Sequence, residues 1–147
     1  MLKNIDNRLN ADVLYALRAM GHGDYLIVSD TNFPADTIAR ATTLGKLLRM
    51  ENLSAAEAVN AILSVMPLDT FVDDFAGRMR VGDDANDIPP VQAEVAAEIA
   101  AAGESRQMEV LVRFAFYDLA KRAYAVVQSG ERRFYGCFML RKGVIPP

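Results

Sequence analysis

The sequence has one cysteine, one histidine, no surplus of basic charge and no apolar run long enough to cross a bilayer. A lone cysteine, Cys137, excludes an internal disulfide. With one His and one Cys far apart, carboxylates would have to supply every other ligand of an integral zinc site, so no metal is expected. Nothing after Met1 has the charged start and apolar length of a signal peptide, and the expected location is the cytoplasm. The longest uncharged stretch, 58–68, is too short for a membrane span and follows a helix-start signal. A formal charge of −3 and a pI near 5.1 argue against nucleic acid or an anionic membrane as partner, because both select a basic surface. A neutral or weakly charged ligand suits the chain better.

Phosphate-cradling loops are also missing. Gly21-His22-Gly23 is too short for a dinucleotide fingerprint, and Gly45-Lys46 lacks the upstream glycine and following hydroxyl of a P-loop. There is no repeat, no low-complexity tract and no long linker. A length of 147 residues with 52% hydrophobic content therefore predicts a single domain, 1–147, with ample material for a core.

What is present is an alternation of helical and strand patterns. Val13, Leu14, Leu17 and Met20 lie on one face of a helix with Asn10 as N-cap and Gly21 as stop. Tyr25-Leu26-Ile27-Val28 reads as a buried strand running into the Asx and Pro turn Asp30-Thr31-Asn32-Phe33-Pro34. Ser54-Ala55-Ala56-Glu57 is a capping box, and its apolar stripe continues through Met66 until Pro67. Phe75, Gly77, Met79 and Val81 alternate as a weaker strand, and residues 82–87 form a loop. Pro89-Pro90 opens an alanine-rich helix through Val91, Val95 and Ile99 to Gly103. Met108 to Phe114 reads as a strand, Ala115 to Arg122 as a short helix and Tyr124 to Gln128 as a strand. A turn at Ser129-Gly130-Glu131 then returns the chain through Phe134 to Leu140. The pattern predicts an α/β fold: a three-layer domain whose mixed, mostly parallel sheet carries helices on both faces, with the last two strands paired as a hairpin.

The chemistry concentrates in two places. His22 is flanked by Asp24 and, eight residues on, by Asp30. It is the one side chain here whose unperturbed pKa lies near neutrality, so it is the candidate proton carrier. The competing reading makes it a cationic cap for the helix ending at Met20, and Asp24 and Asp30 are loop formers on the same reading. A divalent ion held by His22, Asp24 and Asp30 for hydrolysis is a third possibility. His22 and Asp30 flank a strand, so a shared site within one chain requires a loop to fold back. Neither Ser29 nor Cys137 sits in a nucleophile elbow. The second concentration is Arg113 and Tyr117, followed by Tyr135-Gly136-Cys137. The fork of an arginine and the hydroxyl of a tyrosine suit a polyhydroxylated ligand. Arg132, Arg133, Arg141 and Lys142 read as a solvated hairpin surface. The seven Met and twelve aromatics read as core or subunit contacts.

Taken in order, 20–24, 30–34, Arg113-Phe114-Ala115-Phe116-Tyr117, Gly130-Glu131, Tyr135-Gly136 and Arg141-Lys142-Gly143-Val144-Ile145 resemble the fucose mutarotase and ribose pyranase family, with the aromatic segment leaning towards its fucose branch. The resemblance implies an enzyme that interconverts the α and β anomers of a free monosaccharide such as L-fucose, with no cofactor. It also implies a homo-oligomer, typically a decameric ring, whose sugar sites lie between subunits. Carried over to this chain, His22 is the proton donor, and Asp30, Arg113, Tyr135, Gly136 and Cys137 bind sugar, with Tyr117 as a further contact. Cys137 departs from the family's usual Asn, replacing a strong donor and acceptor with a weak one. That departure suggests a changed sugar preference, and it makes a sugar-binding protein without catalysis the alternative.

Overall fold

The computed structural model describes residues 2–147. Helix α1 (Ala11–Ala19) begins where the Asn10 side chain accepts from the Val13 N–H at 3.0 Å, as its sequence signal predicts. Strand β1 (Tyr25–Ser29) follows, then α2 (Ala35–Ala39), β2 (Leu47–Met50), α3 (Ala55–Leu63) and β3 (Ala76–Met79). The second half supplies α4 (Pro90–Ala101), β4 (Glu109–Leu111), α5 (Arg113–Lys121), β5 (Ala125–Ser129) and β6 (Phe138–Arg141). The capping box forms in full: Glu57 N–H donates to Ser54 Oγ at 3.3 Å, and Ser54 N–H donates to Glu57 Oε2 at 2.8 Å.

One six-stranded sheet has the order β2-β5-β1-β6-β3-β4, with β6 antiparallel to both neighbours and all other pairs parallel. Alternate residues of the strands feed two cores. Leu26, Val28, Val127 and Leu140 pack with α1, α3 and α4, while Ile27, Val126 and Met139 pack with α2 and α5. The fold is therefore α/β in three layers, with the mixed, mostly parallel sheet expected from the alternation of patterns.

Three local expectations are corrected. The expected hairpin between the last two strands does not form, because β1 lies between β5 and β6. The turn at 129–131 instead carries the chain across the end of β1: Glu131 O accepts from the Thr31 N–H at 2.9 Å, and Gly130 N–H donates to Leu53 O at 2.7 Å. A Cβ on Gly130 would collide with the Glu51 carbonyl, so this crossing requires glycine. Arg113 and Phe114 open α5 instead of ending a strand. The capping-box helix stops at Leu63, before Met66. β2 and α2 carry no strong periodic signal and come from tertiary packing, β2 by parallel pairing with β5.

Candidate functional site

The carboxyl ends of β1, β3 and β4 and the start of β6 share one edge of the sheet, where parallel α/β folds collect ligands. A cleft of about 420 Å³ opens there, lined by Asp30, Met79, Arg113, Tyr117, Tyr135 and Cys137 among others. The structure thus brings together most of the residues singled out in the sequence from both ends of the chain. Asp30, immediately after β1, is buried and rigid. Its Oδ1 accepts from the Asn32 and Phe33 N–H groups at 2.9 and 3.0 Å, and its Oδ2 accepts from the Gly136 N–H at 3.2 Å. Asp30 is therefore both the loop former and a wall of the cleft.

Gly136 completes this contact by close approach. A Cβ there would lie 2.8 Å from Glu131 Cγ and 3.3 Å from Asp30 Cβ. Its neighbour Tyr135 has φ 62°, a left-handed conformation that bulky residues rarely adopt and that clusters at functional sites. Gln92, a polar residue on the buried stripe of α4, holds that conformation: its Nε2 donates to the carbonyls of Met79 at 2.7 Å and Tyr135 at 3.0 Å. Arg113, in the first turn of α5, donates from Nε to Tyr117 Oη at 3.2 Å and leaves most of its fork open to the cleft. Phe33 stands edge-on to Tyr117 at 5.1 Å and fixes that ring. Burial pushes the Cys137 thiol well up, and the Asp30 charge adds to this, so the cleft meets a neutral thiol.

His22 lies at the opposite edge of the sheet, before β1 begins. Its Nε2 is 3.0 Å from Asp69 Oδ2, and Asp69 is 1% exposed against 49% for the imidazole. Arg141 Nε lies 3.3 Å from the same Asp69 oxygen, an ion-pair contact too poorly aligned to be a hydrogen bond. Arg141 Nη1 in turn donates to Asp74 at 2.7 Å, and the Tyr25 hydroxyl donates to Asp74 at 2.8 Å. The backbone sets Asp69 in place, because its N–H donates to Arg141 O at 3.0 Å next to the bridge between Leu68 and Lys142.

This arrangement overturns the capping reading of His22. The cation at the end of α1 is Lys142, whose Nζ donates to the carbonyls of Leu17 at 2.7 Å and Met20 at 2.5 Å. Arg141 and Lys142 are therefore network residues and not a solvated surface, whereas Arg132 and Arg133 are exposed as expected, Arg133 while pairing with Glu94 at 2.7 Å and with Glu131 at 2.9 Å. The trio His22, Asp24 and Asp30 does not converge. Asp24 closes its own turn by accepting from the Gly21 N–H at 2.7 Å, and among the described residues no group of three His, Cys, Asp or Glu side chains is arranged to hold a metal ion. Asp69, Asp74 and the part played by the Tyr25 hydroxyl escaped the sequence reading, which places Tyr25 only in the strand, since no spacing signal links 68–74 to the end of β6.

The five residues of β1 alone span about 13 Å, so within one chain the imidazole and the cleft stand on opposite edges. No loop folds back to join them. Both edges display aromatic side chains to solvent: Phe71 beside His22, with centroids 6.4 Å apart, and Phe114 and Phe134 at the cleft edge. No helix is long and apolar enough to cross a membrane among the described residues.

Comparison with known proteins agrees with this architecture. Residues 3–145 match the model of the RbsD / FucU transport protein family. The human protein named fucose mutarotase is 37% identical over 98% of this chain and 94% of its own length, and the L-fucose mutarotase of Glaesserella parasuis is 37% identical over 99% and 97%. Among solved structures, that of protein Atu2016 is 61% identical with a TM-score of 0.97, covering 99% of this chain and 97% of that one. The fucose mutarotase of Streptococcus pneumoniae in complex with L-fucose is 34% identical with a TM-score of 0.88, covering 99% and 100%. The sequence motifs, the strand order and these matches over nearly the whole chain agree: the chain belongs to the RbsD / FucU family.

Proposed function

We propose that this protein is a cofactor-independent aldose mutarotase that interconverts the α and β anomers of L-fucose or a closely related free sugar in the cytoplasm. The observation that carries the reading is the division of labour between the two sheet edges. One offers the chain's only imidazole, held by a buried carboxylate, and the other a cleft matched to sugar hydroxyls. A second copy of the chain, apposing its His22 edge to this cleft, completes the site and covers Phe71, Phe114 and Phe134. Relatives named fucose mutarotase supply the reaction class.

In this site Asp30, the Gly136 backbone, Arg113, Tyr117 and Tyr135 fix the sugar, and Cys137 packs against it. A carboxylate only accepts hydrogen bonds, so Asp69 selects the imidazole form with a proton on Nε2. That leaves Nδ1 of His22 as the reacting nitrogen. Mutarotation needs a proton delivered to the ring oxygen as the anomeric hydroxyl loses one. The C1–O5 bond breaks to give the open aldehyde, which recloses on either face after rotation about C1–C2. His22 serves one half of this exchange, and water or a sugar-bound side chain serves the other. Such positioned proton transfer is worth about 10²–10⁴ in rate. The copies close into a ring, of which a decamer is the expected form.

The test is saturation-transfer NMR on equilibrated L-fucose, D-ribose and related sugars near neutral pH. Acceleration that disappears in His22→Ala with the oligomer intact supports the reading. Binding without acceleration for any sugar rejects it in favour of a non-catalytic sugar-binding protein.

A further inference from the structure

A second cleft, of about 340 Å³, lies on the other side of Gln92 from the first, between α4, the loop 85–88 and β4. Its size falls within the range of small-molecule sites. Arg78, from the middle of β3, reaches into it. This arginine is 6% exposed, yet it has no carboxylate within ion-pair distance among the described residues. Its hydrogen bonds all go to neutral oxygens: Nη1 to Asp87 O at 3.1 Å and Gln92 Oε1 at 2.7 Å, and Nη2 to Ala85 O at 2.6 Å. Nε and one Nη2 hydrogen are left over, because a guanidinium carries five donors. A buried cation without a counter-ion is costly, and burial draws the Arg78 pKa down, with the Asp87 charge opposing.

The other charged groups of this cleft offset one another. Glu104 is held by Arg106 through contacts of 2.7 and 3.0 Å, which leaves Arg78 as the unmatched charge. Ile99, Met108 and Val110 provide an apolar wall, and exposed Ile88 stands at the mouth.

We propose that this cleft is a second ligand site, taking a small organic oxyanion, a carboxylate or a phosphate monoester, whose charged end pairs with Arg78 and whose apolar part lies against Ile99 and Met108. The site is independent of the sugar cleft in its chemistry but joined to it by one side chain. Gln92 accepts from Arg78 and donates to Met79 O and Tyr135 O, so an anion that competes for the Arg78 fork loosens the residue that holds Tyr135.

Isothermal titration of the native oligomer with butyrate, acetate and inorganic phosphate tests this. Saturable binding is expected, with butyrate tighter than acetate through its apolar tail; phosphate tighter than butyrate would identify the phosphate class. Ala96 is an exposed α4 residue at the cleft, so Ala96→Phe fills the space without removing the buried charge, and it should weaken binding about tenfold or more. Arg78→Lys keeps the charge but loses the fork and should weaken it by a similar factor. If Arg78→Lys does not fold, Ala96→Phe alone decides. No saturable heat from any of the three anions in the native protein, or unchanged affinity in Ala96→Phe, overturns the proposal. Either failure leaves the proposed anomer exchange standing, because that is read by saturation transfer in the absence of these anions.

Discussion

Asp69 and His22 meet at 3.0 Å with the carboxylate buried and the imidazole half-exposed, so a group that can only accept holds the ring on its Nε2 side. In Asp69→Asn the amide can donate to Nε2 and so move the proton to Nδ1, the wrong nitrogen for accepting one from sugar. The expected result is a fall in anomer exchange of about 10²-fold or more with sugar affinity little changed, read by saturation-transfer NMR. Full activity would remove Asp69 from the account.

Glu131 is the acid-sensitive staple of the cleft. Hydrogen bonds from the Arg133 side chain, outweighing the cost of burial, hold its carboxyl down at about 2. A depressed carboxylate pKa contributes stability that is present above the unfolded value, about 4.3, and is lost as pH falls towards the folded value. Urea unfolding should therefore show stability declining from about pH 4.5 downward. Glu131→Gln should be less stable at neutral pH and flatter in this window; an unchanged acid profile would contradict the assignment.

Gly136→Ala places a methyl 2.8 Å from Glu131 Cγ and 3.3 Å from Asp30 Cβ, both in the loop cluster that frames the cleft. Overpacking of this kind costs about 1–3 kcal/mol. The chain should still fold while its sugar affinity drops, and calorimetric melting beside sugar titration separates the two effects.

Cys137 presents a neutral, 2% exposed thiol to the cleft. A site lacking the amide discriminates differently among sugars, because a hydroxyl left without a strong partner is rejected. Cys137→Asn should shift the ranking of L-fucose against its relatives in exchange assays, and an identical ranking would show that the thiol sets no preference.

The parts of this molecule legible in the sequence are those fixed by local chemistry. Asn10 and the Ser54–Glu57 box cap their helices as their types predict, and the apolar run at Tyr25 becomes β1. Residues 30, 113, 117, 135 and 137 are singled out by motifs at matching spacing and line one cleft, and the Gly136 N–H joins them by donating to Asp30. What escaped depends on contacts distant in sequence. β2 exists because β5 pairs with it, and Asp69 reaches His22 because Leu68 bridges Lys142. The expected hairpin failed because β1 takes the place beside β5 while Glu131 ties the crossing loop to Thr31, a choice made by the whole sheet and not by the turn.

The central claim, that the proton carrier and the sugar cleft of one site come from different copies, is tested by mixing two inactive chains. His22→Ala and Arg113→Ala are each expected to lose anomer exchange of L-fucose. Co-expressed at equal levels, they should assemble rings in which about a quarter of the sites combine an intact His22 edge with an intact cleft, restoring exchange to that fraction of the native rate. Mixed oligomers no more active than either variant alone would contradict the account.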